Sequence, residues 1–95
     1  MKRREYEIDI IFNGTAINKV IIDTHFEKKH AESINDQIII QLVNLLDEQF
    51  VVPKEEKPPF SYFGEELSFN GKRYRLIWLL EDDHIYIGVV NAYRR

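Results

Sequence analysis

Two Asn-Gly dipeptides, Asn13-Gly14 and Asn70-Gly71, each stand between stretches rich in apolar residues, and they constrain this chain more than any other feature. Asn-Gly supplies the two positive φ angles of a type I′ turn, whose twist matches that of paired antiparallel strands. The first turn joins Tyr6–Phe12, where Tyr6, Ile8, Ile10 and Phe12 alternate with polar residues, to the stretch Thr15–Ile22. A two-residue connection aligns Phe12 with Thr15, Ile10 with Ile17, Ile8 with Lys19 and Tyr6 with Ile21. One face is then mostly apolar, and the opposite face carries Glu7, Asp9 and Asn18. The second turn opens a meander of three strands at about 65–69, 72–80 and 84–93. With Asp82-Asp83 as its other turn, Leu80 faces Ile85, Trp78 faces Ile87, Leu76 faces Val89, Tyr74 faces Asn91 and Lys72 lies opposite Tyr93. The other face of that hairpin carries Arg73, Arg75 and Arg94 beside Ile77, Val90 and Ala92.

Between the two hairpin units the period changes. Asp23 or Thr24 can cap a short helix through about Glu32, and Ser33 or Asn35 can cap a second running to about Gln49. In the second, Ile39, Leu42, Val43 and Leu46 recur at helical spacing, with Ile38 and Leu45 widening the stripe. Val51 to Pro59 carries three prolines and four charges, so it reads as an exposed loop barred from any central strand. Ninety-five residues hold one core, hence a single domain over 1–95. The expected fold is α+β: an antiparallel sheet of about five strands, made of the N-terminal hairpin and the C-terminal three-strand meander, with one or two helices packed on one face. The pattern leaves the order of the two units open, and Ile-rich edges leave a homodimer open.

Composition excludes several function classes. With no cysteine there is no disulfide framework, thiolate nucleophile or Cys-ligated zinc. The three histidines form no i, i+4 pair, so no metal site is expected, and no glycine-rich phosphate loop, serine elbow or zincin motif points to a cofactor or a hydrolase triad. The basic opening Met-Lys-Arg-Arg precedes an alternating strand rather than an apolar core, and no apolar run approaches the roughly 20 residues of a membrane span. A cytoplasmic protein without a membrane partner is expected. The net charge of −3 argues against a globally basic nucleic-acid binder, although Lys2, Arg3, Arg4, Lys72, Arg73, Arg75, Arg94 and Arg95 gather at the chain ends and before the last hairpin.

A Lys29-His30 pair on a short helix, followed by a terminal meander of the form Tyr74-Arg75-Leu76-Ile77-Trp78 and Ile85-Tyr86-Ile87-Gly88-Val89-Val90-Asn91-Ala92-Tyr93-Arg94, resembles the RelE/ParE-type toxins. More broadly it is similar to the barnase/EndoU/colicin/RelE superfamily of metal-independent ribonucleases. The resemblance covers the 23–32 helix and about the last 25 residues, and it implies an endoribonuclease of a toxin–antitoxin system, with RNA as substrate and an antitoxin or other protein as partner. Such chemistry needs a base for a 2′-hydroxyl, a cation for the phosphorane and an acid for the leaving oxygen. The expected catalytic set is His30, Lys29, Arg75 and Tyr93, and the expected RNA contacts are His25, Lys72, Arg73, Asn91 and Arg94.

Each part also has a structural reading. His25 and His30 lie about 140° apart on a helix, so only one can face the sheet, and Phe26 at i, i+4 marks His30 as that one. Arg75 aligns with Glu66 across the Asn70-Gly71 hairpin as an ordinary ion pair. Tyr74 and Trp78 are core candidates. His84 sits beside a turn in solvent. The competing function is a non-enzymatic interaction module, an adaptor or immunity-like protein, using the same sheet and the aromatics Phe60, Tyr62, Phe63 and Tyr86. Its acidity would suit a basic partner.

Overall fold

The computed structural model describes residues 3–23 and 34–95. The expected helix from Asp23 or Thr24 to Glu32, and with it His25, Lys29 and His30, lies outside the described residues beyond Asp23. Six strands and one short helix follow in chain order: β1 (Arg3–Phe12), β2 (Thr15–Asp23), α1 (Asp36–Asn44), β3 (Glu55–Lys57), β4 (Phe60–Phe69), β5 (Lys72–Glu81) and β6 (Tyr86–Arg94).

All six strands form one sheet in the order β1-β2-β6-β5-β4-β3. The expected antiparallel sheet of five strands with one or two helices is thereby corrected: the molecule is mostly sheet, and the sheet is mixed. The two hairpin units meet through β2 and β6, which run parallel with Val20 beside Ile87 and Ile22 beside Val89. These four side chains are at most 2% exposed. Joining the units along their most apolar strands makes both strands central, whereas either one at an edge would leave a row of unpaired backbone groups.

β3 is the strand that the proline-bearing connector conceals. Glu55–Lys57 pairs with Phe60–Tyr62 at the sheet's edge, so the connector is not loop throughout, and its prolines flank the paired residues. Because of that pairing β4 starts at Phe60, not near residue 65.

Bulges correct both expected registers. Phe12 does face Thr15 and Ile10 does face Ile17, but the ladder then slips, pairing Glu7 with Lys19 and Tyr6 with Val20. One extra β1 residue lets Ile17, Val20 and Ile22 all point inward while Asn18 and Lys19 stay outside. The unbroken register would have set Lys19 on the apolar face opposite Ile8. In the last hairpin the connection is longer than Asp82-Asp83, so Leu80 faces Ile87 and Trp78 faces Val89; a second slip between Ile77 and Trp78 sets Leu76 opposite Ala92, Ile77 opposite Asn91, Arg75 opposite Tyr93 and Tyr74 opposite Arg94.

The core lies between the inner sheet face and α1. Asn35 caps the helix, its side-chain oxygen accepting from the Ile38 amide at 2.9 Å. Ile39, Leu42 and Val43, with Leu46 just beyond, are buried, while Leu45 is exposed rather than part of the stripe. The helix ends before Gln49 because the following backbone is engaged by β1: Glu48 donates to the Ile11 carbonyl at 2.7 Å and Asn13 to that of Gln49 at 3.0 Å. These bonds also cover part of the β1 edge. Phe12, Phe63 and Trp78 form the aromatic centre, with Phe63 stacked on Trp78 at 5.4 Å and Phe12 edge-on to both. Phe63 is therefore core, not an exposed aromatic.

Candidate functional site

No described element covers the outer face of the sheet, so the register alone maps its surface. Tyr62, Leu79, Gly88 and Ile21 form one transverse row over four strands, and Phe60, Glu81, Tyr86 and Lys19 lie in or beside the next. Toward the other end follow Gly64, Ile77 and Asn91, then Glu66, Arg75 and Tyr93, then Ser68 and Arg73. Apolar rows thus give way to a cationic strip, with strand pairing holding each side chain in place.

Between the rows is an open hollow of about 230 Å³, lined by Ile21, Tyr62, Leu79, Tyr86, Val90 and Arg3 together with Gly88. Its walls are apolar or aromatic. Its one formal charge is Arg3, which makes no ion pair among the described residues. The Tyr86 hydroxyl donates to Glu81 at 2.7 Å. Burial, and then that carboxylate, push the Tyr86 pKa up to about 12, so it is a neutral hydroxyl over the physiological range.

The sequence-predicted residues divide into three groups. Arg73, Arg75, Asn91 and Tyr93 come together on the outer face, because the slip at Ile77/Trp78 turns Asn91 and Tyr93 to the side that Arg73 and Arg75 share. Lys72 and Arg94 follow the parity of buried Tyr74 and stand exposed at the inner rim, away from that strip. His25, Lys29 and His30 lie outside the described residues. Asn91 is engaged locally, its side-chain oxygen accepting from the Ala92 amide at 2.9 Å.

The alignment of Arg75 with Glu66 holds, but the ion pair between them does not form. Glu66 instead accepts from Arg73 at 3.2 Å and from Arg95 at 3.0 Å. Arg75 lies diagonally over Gly64, beside the stem of Lys54. At the opposite end of the sheet, His84 is exposed, with Nδ1 2.8 Å from the Asp82 carbonyl, in a recess that also holds Glu56, Glu81 and Asp83. Among the described residues no group of three or more His, Cys, Asp or Glu side chains is placed to hold a metal ion. No helix there is long and apolar enough to cross a membrane.

Sequence reasoning counted Arg3 only within the cationic chain ends and gave no site role to Lys54, Gly64, Leu79 or Gly88. The available signal was the pair of glycines inside strand patterns, which marks places where another group approaches the backbone closely. Comparison with protein-family models, curated proteins and solved structures finds no match to this chain.

Proposed function

We propose that the protein is a non-enzymatic protein-interaction module, an adaptor or immunity-like protein, that receives its partner on the outer face of the sheet. The observation that carries this reading is the hollow beside Gly88, where Tyr62, Leu79, Tyr86 and Ile21 leave apolar surface beside charged rows. A concave patch with aromatic walls suits an anchoring side chain of a partner, and the surrounding polar rows suit its rim. A cytosolic setting belongs to the same proposal. The test replaces Tyr62 with a photo-crosslinking phenylalanine analogue in cells of the source organism. One discrete crosslinked protein is expected, lost on Leu79→Glu while the circular dichroism spectrum and melting temperature stay unchanged. Crosslinks that are absent, or indifferent to Leu79→Glu, refute the reading.

A metal-independent endoribonuclease of a toxin–antitoxin system is the second reading, favoured by the gathering of Arg73, Arg75 and Tyr93 in one strip. Cations beside an aromatic ring are what an RNA strand needs from a sheet surface. Incubation with mixed RNA in EDTA tests it. Fragments with 2′,3′-cyclic phosphate ends, absent for His30→Ala, support it, and intact RNA removes it.

A further inference from the structure

We infer that Lys54 and Arg75, converging over Gly64, form a binding subsite for a phosphate dianion. A Cβ on Gly64 would stand 3.2 Å from Arg75 Nη2 and 3.4 Å from Lys54 Cε, so the two cationic side chains occupy the space that the missing side chain leaves. They arrive from different elements. Lys54 precedes β3, its amide donating to the Tyr62 carbonyl at 2.8 Å, and Arg75 stands in the middle of the sheet on β5.

The Arg75 guanidinium lies beside the stem of Lys54 over this glycine, and like charges on neighbouring side chains repel unless an anion joins them. This chain has 16 acidic residues, yet among the described residues neither the Lys54 nor the Arg75 side chain makes an ion pair or a hydrogen bond. The nearest candidate across the ladder, Glu66, is held by Arg73 and Arg95. Two unpaired cations over a glycine floor match a doubly charged tetrahedral group: the guanidinium fork takes two of its oxygens and the ammonium acts as a point charge on a third. A carboxylate would neutralise only one of the two. Neither Lys54, Gly64 nor Arg75 lines the apolar hollow, which occupies the neighbouring rows of the same outer face.

The test is titration of isotope-labelled protein with inorganic phosphate at constant ionic strength, followed through the backbone amide signals. Saturable shifts centred on Gly64 and Arg75 are expected, with affinity about tenfold lower for Arg75→Gln and for Lys54→Gln, since each removes a charge-assisted bond. Gly64→Ala keeps both charges but forces them apart, and is expected to weaken binding while the fold persists. Sodium acetate is expected to give no saturable shift at Gly64, and neither is a short single-stranded oligonucleotide, whose phosphates are monoanions. Non-saturating shifts spread over all lysines and arginines, equal binding by the variants, or preference for acetate or the oligonucleotide would each overturn the inference.

Discussion

Leu79 rests on Gly88: a Cβ added to that glycine would stand 2.9 Å from Leu79 Cδ1 and 3.1 Å from its Cγ. The glycine is thus the partner that lets a branched side chain lie flat on the outer face, and it sets the depth of the hollow. Gly88→Ala is expected to destabilise the fold by about 1–3 kcal/mol, the range for overpacking a filled space. In the Leu79→Ala background the same change should cost much less, because the atoms it collides with are gone. Urea unfolding of the four proteins of this double-mutant cycle measures the difference, and additive effects would contradict the contact.

Asp36 ties the helix to β1, accepting hydrogen bonds from the Arg4 guanidinium and the Tyr6 hydroxyl, with Arg4 Nη2 at 2.6 Å. Burial alone would raise its pKa, but the bonds from Arg4 and Tyr6 and the Arg4 charge outweigh it and hold the carboxyl below the ordinary range. A carboxylate depressed in the folded state stabilises above its unfolded pKa of about 3.9, and that contribution is lost as pH falls through the folded value. Asp36→Asn is expected to cost about 1 kcal/mol at neutral pH, the discounted worth of a partly exposed charge-assisted pair, and progressively less as pH falls through the folded value. Stability measured from pH 2 to 7 for both proteins tests this.

At the alkaline end Tyr86 has the opposite sign. Its pKa of about 12 in the folded protein exceeds the unfolded value of about 10, so its contribution is complete below pH 10 and is lost as pH rises toward 12. Phenolate absorbance is expected to show a tyrosine that ionises only near pH 12, absent in Tyr86→Phe. Above pH 10 the stability of Tyr86→Phe should fall less steeply than that of the parent protein.

Local turn chemistry and period two were enough to find both hairpins, and helical spacing the buried stripe Ile39, Leu42, Val43 and Leu46, with Asn35 one of two cap candidates beside Ser33. The pairing of β2 with β6 was not legible, because Val20-Ile21-Ile22 and Ile87-Gly88-Val89 are apolar runs that would pair in either direction. The bulges were hidden for a related reason. A one-residue slip pays off only when inward positions on both strands are known, and Lys19 beside Val20 hints at the needed change of phase without locating it. The same slip governed the candidate site: Arg73 and Arg75 were placed on one face, but Tyr93 joins them only because the extra residue near Val90 reverses parity. Lys54 escaped notice as one charge in a charged connector, since nothing local indicates that β3 carries it over Gly64.

The two Asn-Gly turns, alike in sequence, are expected to respond differently to the same substitutions. Asn13 and Asn70 both have positive φ, 50° and 56°. Asn13 also tethers the connector, its amide nitrogen donating to the Val51 carbonyl at 3.0 Å and its side-chain oxygen accepting from the Val51 amide at 2.8 Å. The Asn70 side chain makes no hydrogen bond among the described residues. Asn70→Gly should therefore be nearly neutral, since glycine accepts the left-handed backbone, whereas Asn13→Gly should cost about 1–2 kcal/mol through the lost tether. Asn→Ala adds the backbone penalty at both sites, about 1 kcal/mol, so Asn13→Ala is expected to be the least stable of the four. Thermal and urea unfolding give the ranking, and equal losses at the two turns would show that the Val51 tether contributes nothing to stability.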